Sequence, residues 1–403
     1  MSDKKTKKIL LALPVMKGGG AERVAALLAN EFYKNGIETS FLLTSTTPQD
    51  VIRQELREEI ALTVLTKNET GIRALLSKCA GLLASVLCKP FEKAGKAVPA
   101  LFAYLSFWSQ YRSETKQLRE IMKKDPELCV LAFLQPTVPM VLLAARGLPN
   151  RVVISERGDP RRLMKSRYGE KFIKKYYRRA DRAVFQTFDA KNTYPDCVSG
   201  KGTVIPNPVK KDLPEPYKGK RNKNITTFCR ISAQKNLPLL FEAFGLLHKE
   251  HPDYTLRIIG DSFNSEGERV ERQIKDFTAK NGLGGSVIFE PFMKSVHSAI
   301  IKDAMYVNSS DYEGISNAML ESMAIGLPAV CTDCPIGGAG ATIRDGENGM
   351  LVPVGDAQAL YLALKKVIEQ PKLAEKLSEG AAKIREEYSI EKISSKWIGF
   401  IWE

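Results

Sequence analysis

The sequence predicts an α/β protein built from two doubly wound parallel sheets, one in each half of the chain. Three observations carry this. Short apolar runs bounded by glycine, proline or charged residues recur through both halves, as buried parallel strands do. Segments with helical spacing separate them, and strands alternating with helices argue for parallel sheets. The chain of 403 residues also suits two domains, each long enough to bury its own core.

The elements follow in order. Ile9–Val15 reads as a buried strand, Gly18-Gly19-Gly20 as a turn, and Ala21–Tyr33 as a helix with Val24, Leu27, Leu28 and Phe32 at helical spacing. Thr39–Leu43 and Ile60–Leu65 read as the next strands. Gly71–Tyr111 breaks the rhythm: it is rich in Leu, Ala and Phe, with Lys78, Lys89, Lys93 and Lys96 interspersed. Such a segment either packs on the sheet or lies on a membrane surface. Its first half is expected to pack, and the stretch around Phe102, Phe107 and Trp108 to touch a membrane. Val130–Leu134, Val152–Ser155 and Arg182–Gln186 resume the strand pattern, and a basic block runs from Arg157 to Arg182. Val204–Ile205 leads into Pro206-Asn207-Pro208, a rigid turn that marks a boundary between domains 1–206 and 207–385.

The second half repeats the alternation. Thr226–Cys229, Thr255–Ile259, Val287–Phe289, Met305–Asn308 and Ala329–Thr332 read as strands. Asn236–Lys249, Gly267–Asn281, Val296–Ile301 and Ala318–Ile325 read as the helices between them, and Ala374–Trp402 is helical.

Composition narrows the partners. Net charge is +14, from 60 Lys and Arg against 46 Asp and Glu, which favours anionic ligands such as nucleotide phosphates or lipid head groups. Cys331 and Cys334 form one C-x-x-C with no second pair, so a structural zinc is not expected; the seven cysteines read as reduced side chains of a cytosolic protein. Ile9–Val15 is too short for a signal-peptide core, and no stretch of ~18 apolar residues exists to span a membrane.

The chemistry concentrates in four loops. In Ser309–Glu321 a strand ends, Glu313 and Gly314 sit in a loop, Ser316 or Asn317 caps, and Ala318 begins a helix. Amides at that helix start suit a phosphate, and the carboxylates of Glu313 and Glu321 suit vicinal hydroxyls. Arg230 and Lys235 occupy the loop after the first strand of the second domain, where doubly wound sheets bind ligands; two cations there would neutralise a departing diphosphate. Gly18-Gly19-Gly20 permits close backbone approach but is neither a Walker loop nor a dinucleotide fingerprint. Pro335–Gly340 is a further glycine loop at a strand end.

Together these elements resemble the retaining glycosyltransferases of family 4 (glycosyl transferases group 1). The resemblance covers most of the chain: GGGAE, IPNPV, CRISAQKN, IIGD, the segment from Glu313 to Glu321, and DGENGMLVPVGD. It implies the GT-B fold, two Rossmann-like domains facing across a cleft, with the last helix, 386–403, packing on the first domain. Glu313 would hold the donor sugar, Arg230 and Lys235 the diphosphate, and Glu321 the ribose. Gly314, Ile315, Ser316 and Asn317 would offer backbone to sugar and phosphate, and Glu290, Pro291 and Phe292 would meet the base. Gly19 and Gly20 would approach from the first domain. Members work without a metal, and no Asp-x-Asp occurs here, so no metal or cofactor is expected beyond the nucleotide-sugar substrate, with a UDP-sugar favoured.

One departure stands out. Many members carry a first-domain His near the sugar, whereas His248, His251 and His297 all lie in the second domain. Ser155–Pro160 follows a first-domain strand instead, and Glu156, Arg157 or Asp159 is expected to face acceptor or donor, or to stabilise the loop. The acceptor expected is a glycan or polyprenyl-diphosphate-linked sugar of bacterial surface-polysaccharide assembly. The enzyme would be cytoplasmic and peripheral on the inner, anionic face of the cell membrane. The competing readings are a nucleotide-sugar epimerase of the same architecture and a basic nucleic-acid-binding protein. No recognised nucleic-acid motif supports the latter.

Overall fold

Short runs of three to six residues form the strands, and the central ones are buried because helices cover both faces of each sheet. In this computed structural model, residues 6–45, 53, 55–66, 71–94, 98–165 and 169–403 are described. The chain divides into two compact units, Met1–Pro206 with Ile393–Glu403, and Asn207–Lys392.

The first unit holds strands β1 (Lys8–Leu13), β2 (Glu38–Leu43), β3 (Ala61–Val64), β4 (Cys129–Phe133), β5 (Val152–Ser155), β6 (Arg182–Phe185) and β7 (Gly202–Val204). All pair in parallel in the order β3-β2-β1-β4-β5-β6-β7. The order reverses between β1 and β4, and ligands of such sheets bind beyond the carboxyl ends of strands at that point. The helix Thr137–Ala144 is buried almost throughout. It escaped sequence reading because an apolar stretch on every side has no helical periodicity to reveal it.

The second unit holds β8 (Asn224–Phe228), β9 (Thr255–Ile259), β10 (Val287–Glu290), β11 (Met305–Asn308), β12 (Ala329–Thr332) and β13 (Met350–Val352). Their order, β10-β9-β8-β11-β12-β13, is also parallel throughout and reverses between β8 and β11. The expected helices are present with shifted ends: Leu237–Glu250, Ser265–Lys280, Val296–Ile300 and Asn317–Ala324. Leu237–Glu250 is capped by Asn236, whose left-handed backbone (φ 41°) turns the chain out of the preceding loop.

The segment after β3 forms two helices, Gly71–Lys93 and Ala100–Lys124. Their exposure inverts the expectation. Phe107 is buried, Phe102 packs against the core, and Trp108 is half-buried beneath Arg112. Leu82, Leu83 and Val86, in the first helix, are exposed instead. A lysine-edged apolar helix reads alike whether its apolar face meets a sheet or a bilayer, and here the second helix meets the core. Lys96 and the side chain of Lys78 lie outside the described residues. Among the described residues no helix is long and apolar enough to cross a membrane.

The terminal helix Ile390–Trp402 brings the fully buried Trp397 against Phe133 at the end of β4, with ring centroids 6.0 Å apart. In the basic block, Lys171, Lys174, Lys175 and Arg178 are exposed, whereas Phe172, Tyr176 and Tyr177 are buried. Those aromatics are core, so they offer no stacking platform for nucleic-acid bases.

Candidate functional site

In the second unit, the chain leaves β8 and β11, neighbours at the switch point, into two loops that are hydrogen-bonded together. Gln234 Nε2 donates to Tyr312 O at 2.9 Å, Asn236 Nδ2 to Asp311 Oδ1 at 2.7 Å, and Asp311 N to Gln234 O at 3.0 Å. Ser309 Oγ donates to Lys235 O at 2.9 Å. Between the loops, Lys235 Nζ forms an ion pair with Glu313 Oε1. The hydroxyl of Ser310 lies 2.9 Å from the same oxygen. Burial acts to lower the Lys235 ammonium, but Glu313 outweighs it and holds the group above its ordinary value. Arg230 is exposed and forms no hydrogen bond or ion pair among the described residues. The two loops thus present one locked cation and one open cation beside a carboxylate.

A third loop supports them. Thr332 Oγ1 and Cys334 Sγ donate to Ser310 O at 2.7 and 3.0 Å. Cys331 and Cys334 are buried free thiols, and burial pushes Cys334 up to about 11. Gly338 lies so close to the Gly314 carbonyl that any side chain there would collide with it. Two residues earlier, Ile336 is left-handed (φ 77°), a conformation unusual for a β-branched residue. Backbone strain of this kind persists only where surrounding structure imposes it, and here it lies two residues from the Gly338 contact with the carboxylate loop.

Glu321 is buried one turn into the helix Asn317–Ala324, where His297 Nε2 and Glu321 Oε2 lie 2.8 Å apart. His297 also meets Phe228 edge-on, with centroids 5.6 Å apart. Nothing local in the sequence signals this partnership, because His297 lies on a different helix. Ser316 caps the helix by accepting from Met319 N at 3.3 Å. Asn207 Nδ2 donates to Ile315 O and Asn317 Oδ1 at 2.9 and 2.7 Å.

The expected base-contacting residues split. The Glu290 carboxylate is bound through two contacts to Arg257, at 2.9 and 3.1 Å, and Arg257 also reaches the buried Asp303. Pro291 and Phe292 are exposed, and Phe292 N donates to Asp261 Oδ2 at 3.2 Å. Only the 291–292 side of that segment is open.

The first unit satisfies most of its own loop groups. Gly18 and Gly19 donate their amides to Glu22 Oε2 at 2.8 and 2.9 Å, so a carboxylate of the chain occupies the glycine turn; Gly20 begins the helix Gly20–Lys34. Gly18 has φ +109°, which accounts for glycine there. Asp159 is bound by Arg161 at 2.7 and 3.0 Å; burial acts to raise its carboxyl, but Arg161 holds it below its ordinary value. Arg157 is buried beside Phe133 and Trp397, and burial pulls it down to about 9, still a cation at neutral pH. Glu156 accepts from Tyr177 Oη and from Gln135 Nε2 at 3.3 Å.

Residues 210–384 match the family described as glycosyl transferases group 1. An uncharacterized glycosyltransferase of Haemophilus influenzae is 28% identical over 180 residues, 45% of this chain and 49% of that protein. A putative glycosyltransferase of Bacillus subtilis, EpsD, is 33% identical over 155 residues, 38% of this chain and 39% of that protein. The chain therefore spans half or less of the length of these curated relatives. Among solved structures, Anabaena Alr3699/HepE in complex with UDP and glucose matches with a TM-score of 0.74 at 16% identity, covering 98% of both chains. The fold, two parallel-sheet α/β units, is GT-B.

Proposed function

We propose that this chain is a retaining, metal-independent glycosyltransferase of family 4 that takes a sugar from a nucleotide-diphosphate donor, UDP being the favoured nucleotide. The observation that carries the reading is the Lys235–Glu313 pair, held between the loops that follow β8 and β11. A diphosphate carries charge that Lys235 and the exposed Arg230 complement, and bonds to anionic oxygens are charge-assisted. Glu313 accepts from donor-sugar hydroxyls and Glu321 from the ribose, while the 291–292 segment borders the base. The leaving phosphate takes up negative charge as the glycosidic bond breaks, and the two cations stabilise that charge where it develops. Its oxygen receives the acceptor proton on the same face, so no enzymic nucleophile is required. The match of residues 210–384 to the group 1 family and the UDP and glucose named for the Anabaena protein support this reading.

The acceptor in this reading is a glycan or polyprenyl-diphosphate-linked sugar of bacterial surface-polysaccharide assembly, met at an anionic membrane surface. The exposed Leu82, Leu83 and Val86, followed by exposed Lys89 and Lys93 on the same helix, support it. Near-surface cations each contribute about 1 kcal/mol to binding anionic lipid. Cosedimentation should show more protein on vesicles containing anionic lipid than on neutral ones; the reverse order would refute the membrane assignment.

The test of the activity is nucleotide-diphosphate release from a panel of nucleotide sugars, with and without a lipid-linked acceptor extract. Release from one donor, raised by the extract and lost in Glu313→Ala, is expected. Release indifferent to Glu313, or none from any donor, would overturn the reading.

A further inference from the structure

Glu156 stands apart from the other first-unit loop groups. It follows β5, at the carboxyl edge of the sheet, where doubly wound folds bind ligands. Both of its hydrogen-bond donors, Tyr177 Oη and Gln135 Nε2, converge on Oε1. Oε2 has no partner among the described residues. Two further polar atoms nearby are unspent. The Tyr194 hydroxyl is buried without a hydrogen-bond partner among the described residues, and so is Gln135 Oε1. Tyr194 stacks on Tyr177, with centroids 6.5 Å apart, and the charge of Glu156 acts on its hydroxyl. Buried polar groups are nearly always paired in native proteins, so a cluster with several unpaired atoms points to a missing ligand with hydroxyls. Leu134, which positions Gln135, is left-handed (φ 61°), a second sign of a constrained site.

We propose that Glu156, with Gln135, Tyr177 and Tyr194, binds hydroxyls of the incoming acceptor sugar, Oε2 accepting from one of them. This rests on the transferase reading and adds the first-unit group that the absent histidine leaves unassigned. Asp159 is excluded by its bonds to Arg161, and Arg157 by its burial between aromatic rings.

Burial pushes the Glu156 carboxyl up to about 7, against the hydrogen bonds from Tyr177 and Gln135. The other charged groups near the cluster are Arg157, which remains cationic, and Asp159, already ionised by neutral pH. A carboxylate accepts a hydroxyl's hydrogen bond more strongly than a carboxyl does. Acceptor affinity should therefore rise with pH through about 7.

The experiment measures acceptor KM, kcat and nucleotide-diphosphate Kd from pH 5.5 to 8.5. The acceptor probe is a polyprenyl-diphosphate-linked oligosaccharide fraction extracted from bacterial membranes. In Glu156→Gln, acceptor KM should rise about tenfold and lose its pH dependence, with nucleotide Kd unchanged. In Tyr177→Phe, the loss of a bond that favours the charged form should move the pH midpoint upward. Unchanged acceptor KM and pH profile in Glu156→Gln, or an equal weakening of nucleotide binding, would overturn the inference. So would a wild-type enzyme that hydrolyses donor but ignores the acceptor fraction. Failure of the wild type to bind nucleotide at all would instead overturn the transferase reading, and this inference with it.

Discussion

The two units share a strand order that reverses at β1/β4 in one and β8/β11 in the other, with one further edge strand in the first, yet their loops are finished differently. In the second unit, loops from neighbouring strands bond to each other around Lys235 and Glu313. In the first unit two loops turn on themselves, Glu22 filling its own glycine turn and Asp159 binding the arginine two residues on, while the loops after β4 and β5 meet at Gln135 and Glu156. The second unit sets Lys235 against Glu313 between its loops, and the first leaves the Tyr194 hydroxyl and Gln135 Oε1 beside Glu156 without partners among the described residues.

The sharpest way to break this contrast is Glu313→Ala. Turnover should fall by on the order of 1000-fold in the nucleotide-release assay. Stability should fall by about 3 kcal/mol in denaturant melts, because the half-buried Lys235 loses its counter-ion. Turnover within a few-fold of wild type would remove the distinction between the units.

Glu156 offers a test by pH. Its carboxyl is raised on folding, so the folded state holds its proton more tightly than the unfolded chain does. Its stabilising contribution is complete below the unfolded value near 4.5 and is lost as pH rises through about 7. Relative to Glu156→Gln, the wild type should lose up to about 3 kcal/mol across that window. Parallel stability curves for the two proteins would mean the group is solvated like an ordinary surface carboxylate.

His297→Leu sharpens the comparison within the second unit. It leaves Glu321 buried without its partner, at a cost of about 2 kcal/mol. Nucleotide affinity should drop about tenfold, and His297→Gln should restore most of both. Loss of stability with unchanged nucleotide Kd would make the pair purely architectural. The smallest effect belongs to the first unit: Glu22→Ala should cost about 1 kcal/mol, as loss of a helix-cap bond does, in a thermal melt. A loss of several kcal/mol would mean that the glycine turn depends on more than this cap.

The alternation of strands and helices was legible because buried strands are short apolar runs with clear punctuation, as at Ile9–Val15 and Met305–Asn308. The placement of Arg230, Lys235 and Glu313 in loops at strand ends was legible from their position after such runs. The bond from Lys235 to Glu313 spans separate loops and could be anticipated only through topology. His297 was not legible as a partner of Glu321, since no local pattern links two helices. The burial of Phe107 and exposure of Leu83 depend on which helix face meets the sheet, and composition does not encode that choice.

The central claim is that the paired loops of the second unit bind the donor diphosphate. Calorimetric titration of UDP into the wild type, Lys235→Ala and Arg230→Ala tests it most directly. The account predicts measurable UDP binding that weakens by about 100-fold without Lys235 and about tenfold without Arg230, as charge-assisted bonds to phosphate are lost. UDP affinity indifferent to both substitutions, in proteins that melt like the wild type, would contradict it.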